Sequence, residues 1–244
     1  MLVKVGDTTA DIRVEAILSM PRLSFTANHF AWCQALMPLG IRPTMGTGAF
    51  WSQVNTRIME TFIDKAEYLL TIDYDTFFTQ ADVEQLFALA MTLQCDALTG
   101  LQTKREDGRP MLTLKGTLDN PPENGTTSVP AEWFAEPVQE VDTAHFGLTV
   151  ISTAALKRAK KPWFWEKPDP SGSWHEGRTD ADIYFWRNWR DSGNRVFVTP
   201  RIILGHGEYV VTWPGKALKS PVFQWANEFT STGKKPETAW SLPE

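Results

Sequence analysis

The stretch Tyr68-Leu69-Leu70-Thr71-Ile72-Asp73-Tyr74-Asp75 joins an apolar run to two carboxylates that stand one residue apart. Such a run of apolar and β-branched residues is typical of a strand that is buried on both faces. A buried strand of this kind is expected to carry charges only at its carboxyl end, where open α/β sheets bind their ligands. Two hard oxygen ligands at that edge suit a divalent cation carrying a phosphate-bearing substrate. The alternative for the motif alone is a turn that begins at an Asp.

Composition indicates a globular protein. The chain has 244 residues, of which 42% are hydrophobic and 22% are charged, and its net charge of -5 argues against general binding to polyanions. The two cysteines, Cys33 and Cys95, lack metal-type spacing and are interpreted as reduced thiols. The first residues lack the apolar core of a signal sequence, and no apolar run reaches the length of a membrane span. We therefore expect a cytoplasmic protein.

Strand-like and helix-like stretches alternate along the first hundred residues. A strand at 14–20 is followed by a helix whose apolar residues recur at three- and four-residue steps, at Phe30, Cys33, Leu36 and Met37. Thr79, with Asp82 three residues later, predicts the capped start of another helix. Such alternation implies βαβ units, so we predict an α/β fold with a mainly parallel central sheet flanked by helices.

The second half of the chain is less regular. Four prolines and a glycine between 116 and 137 indicate a long loop or lid. A single strand is predicted at 141–152, running into a short helix. Another helix is predicted from about Asp180 to Asp191, ending at Gly193.

Four segments in this order resemble the nucleotide-sugar-dependent glycosyltransferases of the GT-A fold, nearest to the large family-two type. They are the helix with Asn55-Thr56-Arg57, the Asp-x-Asp motif at 73–75, the strand at 146–151, and the segment at 179–185 with Gly205-His206 downstream. The resemblance implies a Rossmann-like GT-A domain at 12–212, with a nucleotide-binding half at 12–101 and an acceptor and sugar half at 102–212. Residues 1–11 are then an N-terminal tail, and 213–244 are a C-terminal extension.

The resemblance also implies a reaction. A sugar moves from a nucleoside-diphosphate sugar, by default a uridine diphosphate sugar, to an acceptor hydroxyl, and the expected outcome at the sugar is inversion. A divalent metal, Mn2+ or Mg2+, stabilises the charge on the departing diphosphate. By the same resemblance Asp75 is a metal ligand, Asp73 bonds the ribose or belongs to the metal shell, and His206 is a third ligand. For His206 the alternative is an ordinary turn residue.

The remaining donor contacts implied by the resemblance are Pro21, Arg22, Asn55, Tyr74 and Gly147. Val54 departs from the family pattern, in which an Arg often precedes the Asn. Arg22 has the alternative of being a solvated surface residue.

The general base is predicted at the start of the helix that begins near Asp180. Asp182 matches the Asp of the family's Glu-Asp-x-x-Phe pattern by the position of Phe185, with Ala181 in place of the Glu. A buried carboxylate in this place would accept the proton of the attacking hydroxyl. Asp182 is therefore the first candidate and Asp180 the second, since Asp180 also suits a helix cap.

The acceptor is left open between a glycan and a hydroxymethylated DNA base. Trp174, His175 and Glu176 are the predicted acceptor contacts, because ring faces stack on sugars and bases. Asp142 and His145 are additional plausible contacts. The basic run 157–161 is either a solvated helix end or a feature that steers an anionic acceptor.

Two other functions compete with sugar transfer. A sugar nucleotidyltransferase would also use strand-end carboxylates and a metal, but it would show a glycine-rich loop where this chain has Met20-Pro21-Arg22-Leu23. A catalytically silent carbohydrate-binding scaffold would retain the fold alone. The joint presence of Asp73, Asp75, Asp182 and His206 argues against the scaffold.

Overall fold

The computed structural model describes residues 1–20, 23–104, 108–120, 129–175, 177–215 and 220–239. The chain forms two units, Met1–His206 and Gly207–Glu244. The first unit contains the central sheet and its helices. The second unit contains a hairpin and a short helix.

The strands of the described residues are, in chain order, β1 (Leu2–Val5), β2 (Thr8–Asp11), β3 (Val14–Ser19), β4 (Pro43–Gly46), β5 (Tyr68–Asp73), β6 (Thr76–Phe77), β7 (Ala97–Leu101), β8 (Thr113–Leu114), β9 (Gln139–Thr143), β10 (Leu148–Ser152), β11 (Val196–Ile203), β12 (Gly205–His206), β13 (Val210–Trp213) and β14 (Val222–Trp225). The helices of the same residues are α1 (Thr26–Leu36), α2 (Trp51–Phe62), α3 (Gln80–Thr92), α4 (Thr153–Arg158), α5 (Ala181–Asp191) and α6 (Ala226–Thr232).

The central sheet has the order β4-β3-β5-β10-β7-β11-β9-β8. Strand β3 is parallel to β4 and β5, and β11 is parallel to β7. Strand β10 is antiparallel to both β5 and β7, and β9 is antiparallel to β11 and β8. The predicted α/β class, with helices around a central sheet, is confirmed. The sheet is mixed rather than mainly parallel, because β9 and β10 run in the opposite direction to the other strands.

The prediction of one strand at 141–152 was wrong. The structure divides this stretch into β9, which pairs with β11, and β10, which lies between β5 and β7. The two strands run in the same direction, so residues 144–147 carry the chain from one place in the sheet to another. We call residues 144–147 the crossing segment.

Alternate residues of the strands enter two apolar clusters. Leu69 packs in a cluster with side chains of α2, α4 and α5, whereas Leu70 and Ile72 pack with side chains of α1 and α3. Successive strand residues point to opposite faces, so the sheet is a middle layer between two layers of helices. Strand β5, in the interior of the sheet, is therefore buried on both faces, as its apolar run predicts.

Helix α3 follows its sequence signal closely. The Thr79 side chain accepts from the Asp82 amide, the Asp82 carboxylate accepts from the Thr79 amide, and the buried face carries the apolar residues at helical spacing. In helix α1 the buried face is not the one that the spacing of its apolar residues predicts. Its buried residues are Asn28, Trp32, Ala35 and Leu36, whereas Phe30 and Met37 of the predicted stripe are exposed.

Candidate active site

Asp73 and Asp75 lie at the carboxyl end of β5, in the interior of the central sheet. Strand β5 ends at Asp73, whose amide donates to the Gly147 carbonyl at 3.1 Å, so the crossing segment holds the strand end. Asp75 follows in the turn before β6 and is only 5% exposed. Both carboxylates therefore lie at the edge where α/β sheets bind ligands.

His206 reaches Asp75 through a two-residue ladder. Strands β12 and β6 pair antiparallel with His206 opposite Thr76, which places His206 Nε2 3.5 Å from Asp75 Oδ2. The other ring nitrogen, Nδ1, lies 2.9 Å from the Thr103 carbonyl oxygen. A carbonyl only accepts, so Nδ1 carries a hydrogen, and Nε2 is the ring nitrogen that faces the carboxylate. Two electron-rich atoms at this separation repel each other unless a positive charge, a proton or a metal ion, lies between them.

This geometry fits a metal ion held by two protein donors. Metal-binding histidines usually donate their second ring N–H to a carbonyl or carboxylate, as His206 does. Within the described ranges, no group of three or more His, Cys, Asp or Glu side chains is placed to hold a metal ion. The structure therefore pairs Asp75 with His206 but does not assemble the predicted three-residue set that includes Asp73. Two protein donors leave coordination positions for phosphate oxygens and water.

Asp73 lies beside this pair in a more strongly perturbed environment. Burial, followed by repulsion from the Asp75 carboxylate, raises the pKa of Asp73 to about 7. The Trp51 indole N–H, 3.4 Å from Asp73 Oδ1, and the nearby His206 act in the opposite direction. A cation bound here would favour the charged form of Asp73, because an opposite charge stabilises an ionised carboxylate.

Trp51 is a site residue that the sequence did not single out. It is the first residue of α2, and its ring packs edge-on against Phe146 of the crossing segment and Phe164. These contacts aim the indole N–H at Asp73. A tryptophan at a helix start has no special periodicity, so only its position shortly before the acidic motif could have drawn attention to it.

The two candidate bases differ in their surroundings. Asp182 is in the first turn of α5, and burial raises its pKa. Asp180 occupies the N-cap position, but its carboxylate pairs with the Arg178 guanidinium at 2.7 and 3.2 Å instead of capping the helix. Asp180 is therefore held in an exposed ion pair, whereas Asp182 is a half-buried carboxylate whose raised pKa lets it accept a proton more readily.

Two adjoining cavities meet at Asp182. The first has a volume of about 420 Å³, and its lining includes Trp51, Asp73, Phe146, Trp174 and Asp182. The second, of about 370 Å³, extends past Lys104 and Thr113 and shares Met111, His145, Asp180 and Asp182 with the first. We call them the Asp73 cavity and the Lys104 cavity. A carboxylate common to both can contact two different molecules at once.

His145 lines both cavities, and Gly147, which lines neither, fixes the orientation of its ring. His145 Nδ1 accepts from the Gly147 amide at 3.0 Å, and Nε2 lies 3.0 Å from the Gly100 carbonyl, which fixes the neutral ring with its hydrogen on Nε2. A Cβ at residue 147 would lie 2.5 Å from Thr76 Oγ1 and 2.7 Å from Gln102 Oε1. Only glycine therefore fits where the crossing segment approaches β6.

This hydrogen-bonding pattern predicts a specific loss of stability in acid. Burial lowers the pKa of His145 to about 4, from 6.5, so the unfolded chain takes up a proton that the folded ring refuses until about pH 4. The stability associated with the neutral ring is present above pH 6.5 and is lost as the pH falls towards 4, by about 2 kcal/mol between pH 7 and pH 5. Urea unfolding of wild type and His145→Gln at both pH values measures the difference. Asp73, whose raised pKa acts in the opposite direction, is present in both proteins and cancels.

A His175→Gln variant is the matched control, because it removes an exposed ring and should leave the wild-type pH dependence intact. If the free energy of unfolding changes equally with pH in wild type and His145→Gln, the assignment of a neutral ring to folded His145 is wrong.

Three predicted donor contacts, Asn55, Tyr74 and Gly147, do not line either cavity. Asn55 is buried in α2, where its amide donates to the Trp51 carbonyl at 3.2 Å. It supports the turn that carries Trp51 and does not line either cavity. Tyr74 is half-buried and stacks on Phe25, with ring centroids 6.1 Å apart. Pro21 and Arg22 lie outside the described residues.

The predicted acceptor residues do not all lie at the cavities. Trp174 lines the Asp73 cavity. His175 is exposed and is not among the lining residues, although its carbonyl accepts from Arg178 at 3.0 Å. Glu176 lies outside the described residues. Of the additional contacts, His145 lines both cavities, whereas Asp142 accepts from the Leu118 amide at 3.0 Å and has a structural role.

Comparisons with known protein families and with curated protein sequences found no match. Among solved structures, the chain is similar to the protein A197 from STIV, with a TM-score of 0.54, 14% identity, and coverage of 80% of this chain and 85% of that one. The two chains therefore share a fold.

Two further matches have TM-scores below 0.5. GalNAc-T7, solved with UDP, GalNAc and Mn2+, scores 0.47 at 9% identity, and S. aureus TarS scores 0.46 at 14% identity. They match 80% and 79% of this chain, which spans only 44% and 36% of their own lengths. In the part of the chain that the structure describes, no helix combines the length and the apolar character needed to cross a membrane.

Proposed function

We propose that this chain is a metal-dependent glycosyltransferase of the GT-A type, which moves a sugar from a nucleoside-diphosphate sugar to an acceptor hydroxyl with inversion at the sugar. The unit Met1–His206 holds every residue used in this proposal. The observation that carries it is the Asp75–His206 pair, with Nε2 and Oδ2 3.5 Å apart, beside a cavity that contains Asp73 and Asp182.

Asp75 and His206 are the residues that would hold the metal. When bound there, a divalent cation supplies Lewis-acid stabilisation of the negative charge on the departing diphosphate. Because Nδ1 of His206 donates to the Thr103 carbonyl, Nε2 is the ring nitrogen that would ligate the metal. Asp73, oriented by the Trp51 indole, remains available for a ribose hydroxyl of the donor.

The donor sugar is assigned to the Asp73 cavity. Its lining combines the carboxylates of Asp73 and Asp182 with the rings of Trp51, Phe146 and Trp174. Aromatic rings pack against the apolar face of a sugar, while carboxylates accept from its hydroxyls. A uridine diphosphate sugar is the favoured donor by family resemblance.

The acceptor is assigned to the Lys104 cavity, with Asp182 between the two substrates. The acceptor hydroxyl donates its proton to Asp182 as it attacks the donor sugar from the side opposite the diphosphate. The raised pKa of the half-buried Asp182 carboxylate makes it a stronger base than a solvated one. Attack from that side is what inverts the configuration.

A saccharide acceptor is favoured over a modified DNA base. The basic run 157–161 would be the steering surface for DNA, yet three of its cations already pair with acids. Lys157 bonds Asp64 at 2.7 Å, Arg158 bonds Asp96 at 2.6 Å, and Lys161 bonds Glu60 at 2.6 Å. Cations paired in this way attract a phosphate backbone weakly.

A thermal-shift experiment tests the proposal. We expect UDP and Mn2+ together to raise the melting temperature more than the sum of their separate effects, because each would complete the binding site of the other. A ligand at about 100 times its Kd adds about 2.7 kcal/mol to the free energy of unfolding, which is readily detected. Slow manganese-dependent hydrolysis of a UDP-sugar should accompany binding. Absence of any nucleotide effect would favour the silent scaffold, and pyrophosphate release from a nucleoside triphosphate would favour nucleotidyl transfer.

A further inference from the structure

The β6–β12 ladder needs support from outside itself. Each strand has two residues, and the pair stands apart from the central sheet. A ladder this short is not stable alone in water. It nevertheless sets the position of both residues that face each other, because Asp75 immediately precedes β6 and His206 ends β12.

Gln102, immediately after β7, bridges the two strands of this ladder. Its side-chain amide donates to Thr76 Oγ1 at 3.2 Å and to the Gly205 carbonyl at 3.1 Å. Gln102 is 3% exposed and Thr76 is 1% exposed, so water does not compete for the bond between them. One amide nitrogen therefore ties the residue after Asp75 to the residue before His206.

Neighbouring groups complete the same support. The carbonyl of Thr103, the next residue, accepts from His206 Nδ1 and sets the tautomer of the ring. On the other side, the buried Asn28 amide donates to the Thr76 carbonyl, and Asn28 is itself held by the Trp32 indole at 2.6 Å. Buried polar side chains with defined partners fix geometry in a way that apolar packing does not.

We propose that Gln102 is a positioning residue for the cation-binding pair, holding Asp75 and His206 at the separation at which both can ligate one divalent metal ion. This inference rests on the proposed function. Gln102 does not touch the metal in this assignment. It acts through the backbone of Gly205 and the side chain of Thr76.

A Gln102→Met variant tests the proposal, because it keeps the length of the side chain and removes the amide. We expect the manganese concentration for half-maximal UDP-sugar hydrolysis to rise 10- to 100-fold, the usual cost of losing an outer support of a metal site. Saturating manganese should restore most of the rate. Direct Mn2+ titration in the presence of UDP provides a second readout of the same affinity.

Thr153→Val is the matched control. The Thr153 hydroxyl is also buried and bonds two carbonyls, those of Ala66 and Glu67, but it lies by the start of β5, away from the site. The Thr153→Val variant should lower the melting temperature without changing the affinity for manganese. If Gln102→Met behaves in the same way, Gln102 has only a structural role and the proposal is overturned.

A second variant covers the case in which Gln102→Met fails to fold. Thr76→Val removes the acceptor of one Gln102 bond with almost no change in shape, and it should weaken manganese binding in the same direction. Where both variants fold, the double variant should lose less affinity than the sum of the two, because they remove a shared interaction. Unchanged manganese affinity in Thr76→Val would overturn the inference while leaving the proposed function intact. Failure of the wild type to bind Mn2+ with UDP would overturn both.

Discussion

Replacing Asp75 with Asn is expected to abolish the manganese-dependent thermal shift and to weaken metal binding by more than about 100-fold. Loss of an outer support costs 10- to 100-fold, and the loss of a charged ligand costs more. The substitution keeps the size of the side chain but leaves His206 Nε2 facing a neutral amide. Isothermal titration of Mn2+ into the UDP complex measures the affinity directly.

Asp142→Asn is the control for this change. Asp142 is a buried carboxylate of similar exposure, 6% against 5%, but it accepts from the Leu118 amide and is not part of the pair with His206. The control should lose stability and retain the manganese-dependent shift. A shift that survives in Asp75→Asn would show that the assigned ligand is wrong.

Replacing Asp182 with Asn should lower kcat for transfer by about 10² to 10⁴, the range typical of a lost general base. Binding of the nucleotide and the metal should be unaffected, because the amide occupies the same space and Asp182 is not in the cation pair. Wild-type activity should also fall in acid as Asp182 takes up a proton, and its raised pKa moves this loss to a higher pH than for a solvated Asp. Rates measured at saturating donor and metal separate the chemical step from binding.

Asp180→Asn distinguishes the two candidates. The Asp180 carboxylate is already paired with Arg178, so its loss should have a small effect on kcat. A large loss in Asp180→Asn with near-normal turnover in Asp182→Asn would transfer the role of base to Asp180.

The parts of the fold that were predictable are those with strong local signals. The apolar run before Asp73 has the composition of a doubly buried strand, and β5 is one. Thr79 and Asp82 form a capping box that depends only on residues three apart, and α3 begins there. In these places local chemistry and the final packing agree.

The structure differs from the predicted elements where contacts between residues distant in sequence determine the conformation. Helix α1 buries the polar Asn28 because the carbonyl of Thr76, which is distant in sequence, accepts from its amide, and the Trp32 indole one turn later donates to its oxygen. The chain changes its place in the sheet between β9 and β10 because partners in β5 and β7 are available only after the whole fold assembles. Hydrophobic periodicity detects strands but carries no information on direction or order.

The candidate site was predicted only in part, because the contacts of some of its residues depend on packing between distant parts of the chain. Type and order predict Asp73, Asp75, Asp182 and His206 as candidates; in the structure Asp73 and Asp182 line one cavity, and Asp75 pairs with His206. Trp51 and Gln102 were not identified, because a tryptophan and a glutamine carry no signature outside their contacts. Asn55 was identified by motif but turns its amide into its own helix.

The β6–β12 ladder joins points that are far apart in sequence, since Asp75 belongs to the early part of the chain and His206 closes the first unit. An ion shared by these two residues would behave as a removable cross-link that encloses most of the intervening polypeptide. Closing so long a loop restricts the unfolded chain, and the benefit grows slowly with loop length. Removal of the ion by a chelator would then loosen β12, the last strand of the unit, before it disturbs the central sheet. Binding of substrate and metal would thus also determine how stable this end of the unit is.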